Sequence, residues 1–123
     1  MIEKIMGAHF RPPAKPILQN LQSGCPLLII PEPENQYDSN ALAIHVETKH
    51  FGDFANMEQM NQDVQYFGTT PEELLVPESW HLGYIRKELA AEIVVYLNGE
   101  TQNGTLGFTP KGEPAINFAL PEK

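Results

Sequence analysis

Pro26-Leu-Leu-Ile-Ile-Pro31, Glu32-Pro-Glu-Asn-Gln-Tyr-Asp-Ser-Asn40 and Ala41-Leu-Ala-Ile-His-Val46 follow one another without a break. The first is a continuous apolar run closed by proline at both ends, the pattern of a buried strand. The second is turn chemistry throughout, rich in Pro, Asn, Asp and Ser. The third alternates: Leu42, Ile44 and Val46 share one face, and His45 points to the opposite, wetter one. Strand, turn and strand in succession argue for a β-rich domain. Eleven prolines and nine glycines, about one residue in six, extend that argument to the whole chain, because they punctuate it into short elements unsuited to a helical bundle.

Residues 4–10 read as a first strand that ends at Arg11-Pro-Pro13. Residues 17–21 make a helical turn or a loop. Residues 81–86 read as a fourth strand. Residues 87–97 form an amphipathic helix with Leu89, Ala90, Ile93, Val94 and Leu97 on one face, stopped by Asn98-Gly99. Two last strands, 101–108 and 116–120, flank a turn at 110–114. The expected class is mainly β with one or two helices, β or α+β.

The chain has 123 residues, 41% hydrophobic and 20% charged, the balance of one globular domain rather than a disordered segment. No apolar run approaches the roughly 18 residues of a membrane span. The first residues lack the basic-then-apolar pattern of a secretory signal. The single cysteine, Cys25, has no internal disulfide partner. Together these predict a cytoplasmic protein without a membrane association. The formal charge is −8, and residues 47–78 account for −6 of it through seven acids against Lys49. That stretch lacks a period of two, yet carries Phe51, Phe54, Met57, Met60, Tyr66, Phe67, Leu74 and Leu75. So much apolar material predicts order: a lid with its aromatics toward the main sheet. Thr70-Pro-Glu-Glu73 signals a short helix beginning near Pro71.

Two motifs in order carry a family resemblance. Glu32-Pro-Glu-Asn35-Gln-Tyr37-Asp38-Ser-Asn40-Ala41 joins two strands, and Leu82-Gly-Tyr84-Ile-Arg-Lys87-Glu-Leu-Ala90 joins a strand to a helix. With Gly7 upstream, this resembles the HIRAN domain, found fused to DNA-remodelling helicases and as free-standing proteins. The resemblance covers residues 5–46 and 81–120 and leaves 47–79 as an acidic insertion between the third and fourth strands. It implies a single domain over residues 1–123, built as a small OB-like β-barrel that holds the 3′ end of single-stranded DNA in a DNA-repair setting, with a helicase or nuclease partner in trans. Carried over residue by residue, Tyr37 is a stacking platform and Asp38 accepts a hydrogen bond from the 3′-hydroxyl. Phe10 stands in the place of the family's first-strand stacking tyrosine, and Lys87 meets a phosphate. Tyr84 stands where eukaryotic members have a histidine, and Phe118 matches an aromatic that lines the site.

The chemistry of these residues is coherent on its own. Stacking tolerates any base, at about 1–3 kcal/mol for each. An ionised carboxylate only accepts hydrogen bonds, so Asp38 would receive a hydroxyl and repel a terminal phosphate. Structural readings stand beside the functional ones. Asp38 and Asn40 also suit Asx-turns. Tyr37, Phe10 and Phe118 also suit a core. Arg86-Lys87 also suits a solvated strand end. A protein-interaction module, its groove closed by the acidic stretch, is the alternative on the same fold. Catalysis is not expected. The chain lacks a Gly-x-Ser-x-Gly elbow, a Walker loop and a Cys-x-x-Cys pair. His9, His45, His50 and His81 lack metal-ligand spacing with each other or with Cys25, so neither metal nor cofactor is predicted.

Overall fold

The computed structural model describes residues 1–8 and 12–120. The chain runs β1 (Ile2–Lys4), α1 (Ala14–Asn20), β2 (Pro26–Pro31), β3 (Leu42–Glu47), α2 (Phe51–Phe54), α3 (Met57–Gln65), α4 (Pro71–Leu74), β4 (Ser79–Tyr84), α5 (Lys87–Leu97), β5 (Gln102–Phe108) and β6 (Pro114–Asn117). All six strands join one sheet in the order β1-β6-β5-β2-β3-β4, and every pairing is antiparallel. The sheet curls into a half-barrel. Met6, just past β1, exchanges two backbone hydrogen bonds of 2.9 Å with Tyr84 on β4, at the other end of the strand order.

Local sequence explains the parts that match expectation. The apolar run 26–31 is β2, and Leu27 and Ile29 are buried from it. Leu42, Ile44 and Val46 of β3 are fully buried, while His45 between them turns to the other face. Strands β2, β3 and β4 are neighbours as expected, although β4 spans 79–84 rather than 81–86 and leaves Ile85 and Arg86 to the junction with α5. Helix α5 buries Leu89, Ala90, Ile93 and Leu97 and ends on Asn98, which takes the left-handed conformation at φ 50°.

Other expectations change. There are five helices among the described residues rather than one or two. Three of them lie in 47–79, where short capped turns leave no long period to read. Asn56 caps α3 by accepting from the Gln59 amide at 3.2 Å, and Thr70 caps α4 by accepting from Glu73 at 3.1 Å. The last strand begins at Pro114, two residues before the expected start, and ends at Asn117 rather than Leu120. The first strand is short, and its expected end at Phe10 lies outside the described residues.

The stretch 47–79 is packed, and α1 receives it. The Gln22 amide donates to Phe54 O at 2.7 Å, Asn56 N donates to Asn20 O at 3.1 Å, and Asn20 Nδ2 donates to Asp63 Oδ2 at 2.9 Å. Phe51, Met60, Val64 and Leu74 are buried in the common core, and Trp80 Nε1 donates to Leu74 O at 2.7 Å. Tyr66 and Phe67 do not face the sheet as expected; both are exposed. Among the described residues no helix is long and apolar enough to cross a membrane.

Candidate functional site

Where the β2–β3 turn meets the end of β4 and the start of α5, a groove of about 480 Å³ opens. Its lining comes from Met6, from Asn35, Tyr37, Asp38 and Ala41 of the turn, and from Tyr84 to Glu88 at the strand-to-helix junction. Two stretches that are far apart in sequence thus share one concave surface. The antiparallel pairing of β3 with β4 brings them together, with Ala43 opposite Tyr84 and the Ile85 amide donating to Leu42 O at 3.0 Å.

The turn holds its own shape. Asn35 Oδ1 accepts from the amides of Tyr37 (2.9 Å) and Asp38 (3.0 Å), and Asp38 Oδ1 accepts from the Asn40 amide at 2.9 Å. These are Asx-turn bonds, in which a short polar side chain stands in for backbone. The structural reading of Asp38 is therefore realised at Oδ1, and Oδ2 has no hydrogen-bond partner among the described residues. Tyr37 is 95% exposed, so packing does not explain its ring.

The opposite wall is set by β4. Tyr84 donates its hydroxyl to Glu32 Oε1 at 2.9 Å, and Asn35 Nδ2 donates to the same oxygen at 3.0 Å. Partial burial pushes the Glu32 carboxyl up, but these two hydrogen bonds, with the positive potential of His81 and His45, outweigh it and leave the pKa below the ordinary value. Arg86 is tied to Glu3 at 2.8 Å, while Lys87 is exposed and has no ion-pair partner among the described residues. Among the lining side chains two acids, Asp38 and Glu88, stand against these two cations.

Of the six residues expected at the site, Tyr37, Asp38, Tyr84 and Lys87 line this groove. Phe118 does not. It is 5% exposed and belongs to the core, its backbone paired with Met1. The alternation Ile116-Phe118-Leu120 that suggested either role marks the inward face. Phe10 lies outside the described residues. None of the groove's lining comes from 47–79.

Sequence reasoning missed Glu32 as the partner of Tyr84, although its place at the head of the turn was a usable signal. It also missed that Glu32, His45 and His81 converge, each offering one donor atom within 4.8 Å of the others. Their spacing along the chain holds no metal-ligand pattern; only strand pairing assembles them. Set against known proteins, the chain matches no family model, no curated sequence and no solved structure.

Proposed function

We propose that this protein is a non-catalytic module for single-stranded DNA that reads a free 3′-hydroxyl end, on a small OB-like barrel with 47–79 as an insertion. The observation that carries the reading is the groove itself, which unites Tyr37, Asp38, Tyr84 and Lys87. An exposed ring at its rim supplies a stacking platform indifferent to base identity. The second oxygen of Asp38 supplies an acceptor for a hydroxyl, and its charge disfavours a terminal phosphate. Lys87 supplies a cation for the penultimate phosphate. The helicase or nuclease that would act with it in trans, and a cytoplasmic site of action, belong to the same reading. The interaction-module alternative needs the acidic stretch over the groove, and none of the lining side chains comes from it.

Titration of fluorescent single strands carrying a 3′-hydroxyl or a 3′-phosphate tests the proposal. Asp38→Ala removes a charge-assisted hydrogen bond of about 1.5–3 kcal/mol, so binding to the free end weakens about 10- to 150-fold. Binding to the phosphorylated end weakens less or improves. Equal affinity of the wild-type protein for both ends, or an equal loss in the variant, refutes end recognition. Binding that does not weaken with salt refutes the phosphate contact.

A further inference from the structure

On the face of the sheet turned away from the core, Glu32 at the end of β2, His45 on β3 and His81 on β4 come together. His45 and His81 are register partners, and their rings stack with centroids 4.9 Å apart and planes at 7°. A register shift between Ile44 and His45 lets β4 present both His81 and Tyr84 on this face, which strict alternation would forbid. Tyr84 then closes over His81, edge to face at 4.7 Å.

Each of the three side chains is held from behind. Gly83 O lies 3.0 Å from His81 Nε2. A carbonyl only accepts, so His81 donates from Nε2, and the neutral ring that takes a metal carries its lone pair on Nδ1. His45 Nδ1 is 3.1 Å from Ser79 Oγ. Glu32 Oε1 takes both the Tyr84 hydroxyl and the Asn35 amide. Backing of this kind, a polar group behind every ligand that restrains its orientation, is the arrangement metal sites use.

We propose that Glu32, His45 and His81 form a binding site for a divalent transition-metal ion, with zinc as the favoured ion. Two imidazoles and a carboxylate suit a borderline cation, and three protein ligands leave a position open to solvent. The donor atoms lie within 4.8 Å of one another. Zinc bonds of about 2.0–2.1 Å put tetrahedral donors about 3.4 Å apart, so the widest pair closes by up to about 1.4 Å on binding. Because the two rings stack parallel and imidazole lone pairs lie in the ring plane, binding requires one ring to turn out of the stack. This inference does not depend on DNA binding.

The test uses the whole chain, stripped of metal with a chelator and titrated with Zn²⁺ by calorimetry and with Co²⁺ by visible ligand-field absorption. One ion per chain is expected. Glu32→Gln keeps an oxygen for Tyr84 and Asn35 but loses the charge. Glu32→Gln, His45→Gln and His81→Gln should each weaken binding by about tenfold or more. His50→Gln, on a side chain packed edge-on to Phe54, should leave it unchanged. In ¹⁵N spectra of the wild-type histidine rings, Zn²⁺ should move the signals of His45 and His81; this readout stands even where a variant fails to fold. Absence of saturable binding, ring shifts confined to other histidines, or folded variants with wild-type affinity would overturn the proposal.

Discussion

Gly83→Ala tests the seam that joins the chain after β1 to β4. A Cβ added at Gly83 falls on the carbonyl oxygen of Met6, closer than real Cβ atoms come to anything, and 2.9 Å from Ile5 Cγ2. The first obstacle is backbone, so no side-chain rotation relieves it. The seam must part. Two hydrogen bonds of 2.9 Å between Met6 and Tyr84 are then at risk, at about 0.5–1.5 kcal/mol each. Overpacking around Ile5, itself 5% exposed, adds about 1–3 kcal/mol. The sum is about 2–6 kcal/mol, a large share of the 5–15 kcal/mol typical of a domain. At roughly 3–5 °C per kcal/mol, Tm should drop by at least about 6 °C.

Amide exchange read at Met6 and Tyr84 separates this mechanism from a general loss of stability, because those two amides should lose protection before the β2–β3 ladder does. Gly52→Ala is the control. Gly52 sits in α2, and a methyl group there would meet nothing within 4 Å, so alanine should be neutral or stabilise by up to about 1 kcal/mol. A Gly83→Ala protein with wild-type Tm and protected Met6 and Tyr84 amides refutes the reasoning.

Tyr37→Ala should leave thermal stability within about 0.5 kcal/mol, because the ring is 95% exposed, yet weaken single strands with either terminus by about 1–3 kcal/mol, read by fluorescence anisotropy. Phe51→Ala should cost about 3–5 kcal/mol in urea melts, since the ring is 1% exposed and anchors 47–79 in the core; a loss below about 1 kcal/mol refutes that anchoring. Burial pushes the Cys25 thiol up from 9.0 to about 11, so native protein should resist thiol reagents at neutral pH and react fully once unfolded. The unfolded chain ionises that thiol first, so its contribution is intact below pH 9 and is lost as pH climbs toward 11, at about 1.4 kcal/mol per unit; Cys25→Ser should flatten that slope in melts compared across the range.

What the sequence made legible is what is encoded locally. The proline-bounded run 26–31, the alternation 42–46 and the apolar stripe of α5 each specify an element and the face it buries. The turn at 32–41 was readable in part: Asp38 closes it with its own side chain as expected, but the second closing side chain is Asn35 rather than Asn40. What depends on register was not. A shift at Ile44/His45 puts Tyr84 beside His81, and no count along the chain announces it. The convergence of Glu32, His45 and His81 is the same effect across three strands. Phe118 failed for a related reason: alternation gives a face but not which end of that face a groove reaches.

Net charge is the most instructive case, because it is a property of the chain and binding is a property of a surface. A charge of −8 argues against a polyanion partner only if it is spread evenly. Here seven acids lie in 47–78, a stretch that docks on α1 and gives no side chain to the groove. The groove holds Arg86 and Lys87 against Asp38 and Glu88. At physiological ionic strength, charges beyond roughly 8 Å are largely screened, so the charges that line the groove weigh most in what a ligand experiences there. Lowering the salt lengthens that reach to about 30 Å at 0.01 M and lets the acidic stretch be felt. The affinity of single strands should therefore rise less on dilution of salt than one exposed lysine contact predicts. A slope at or above that of one full phosphate contact would show that the acids of 47–78 do not act on the groove.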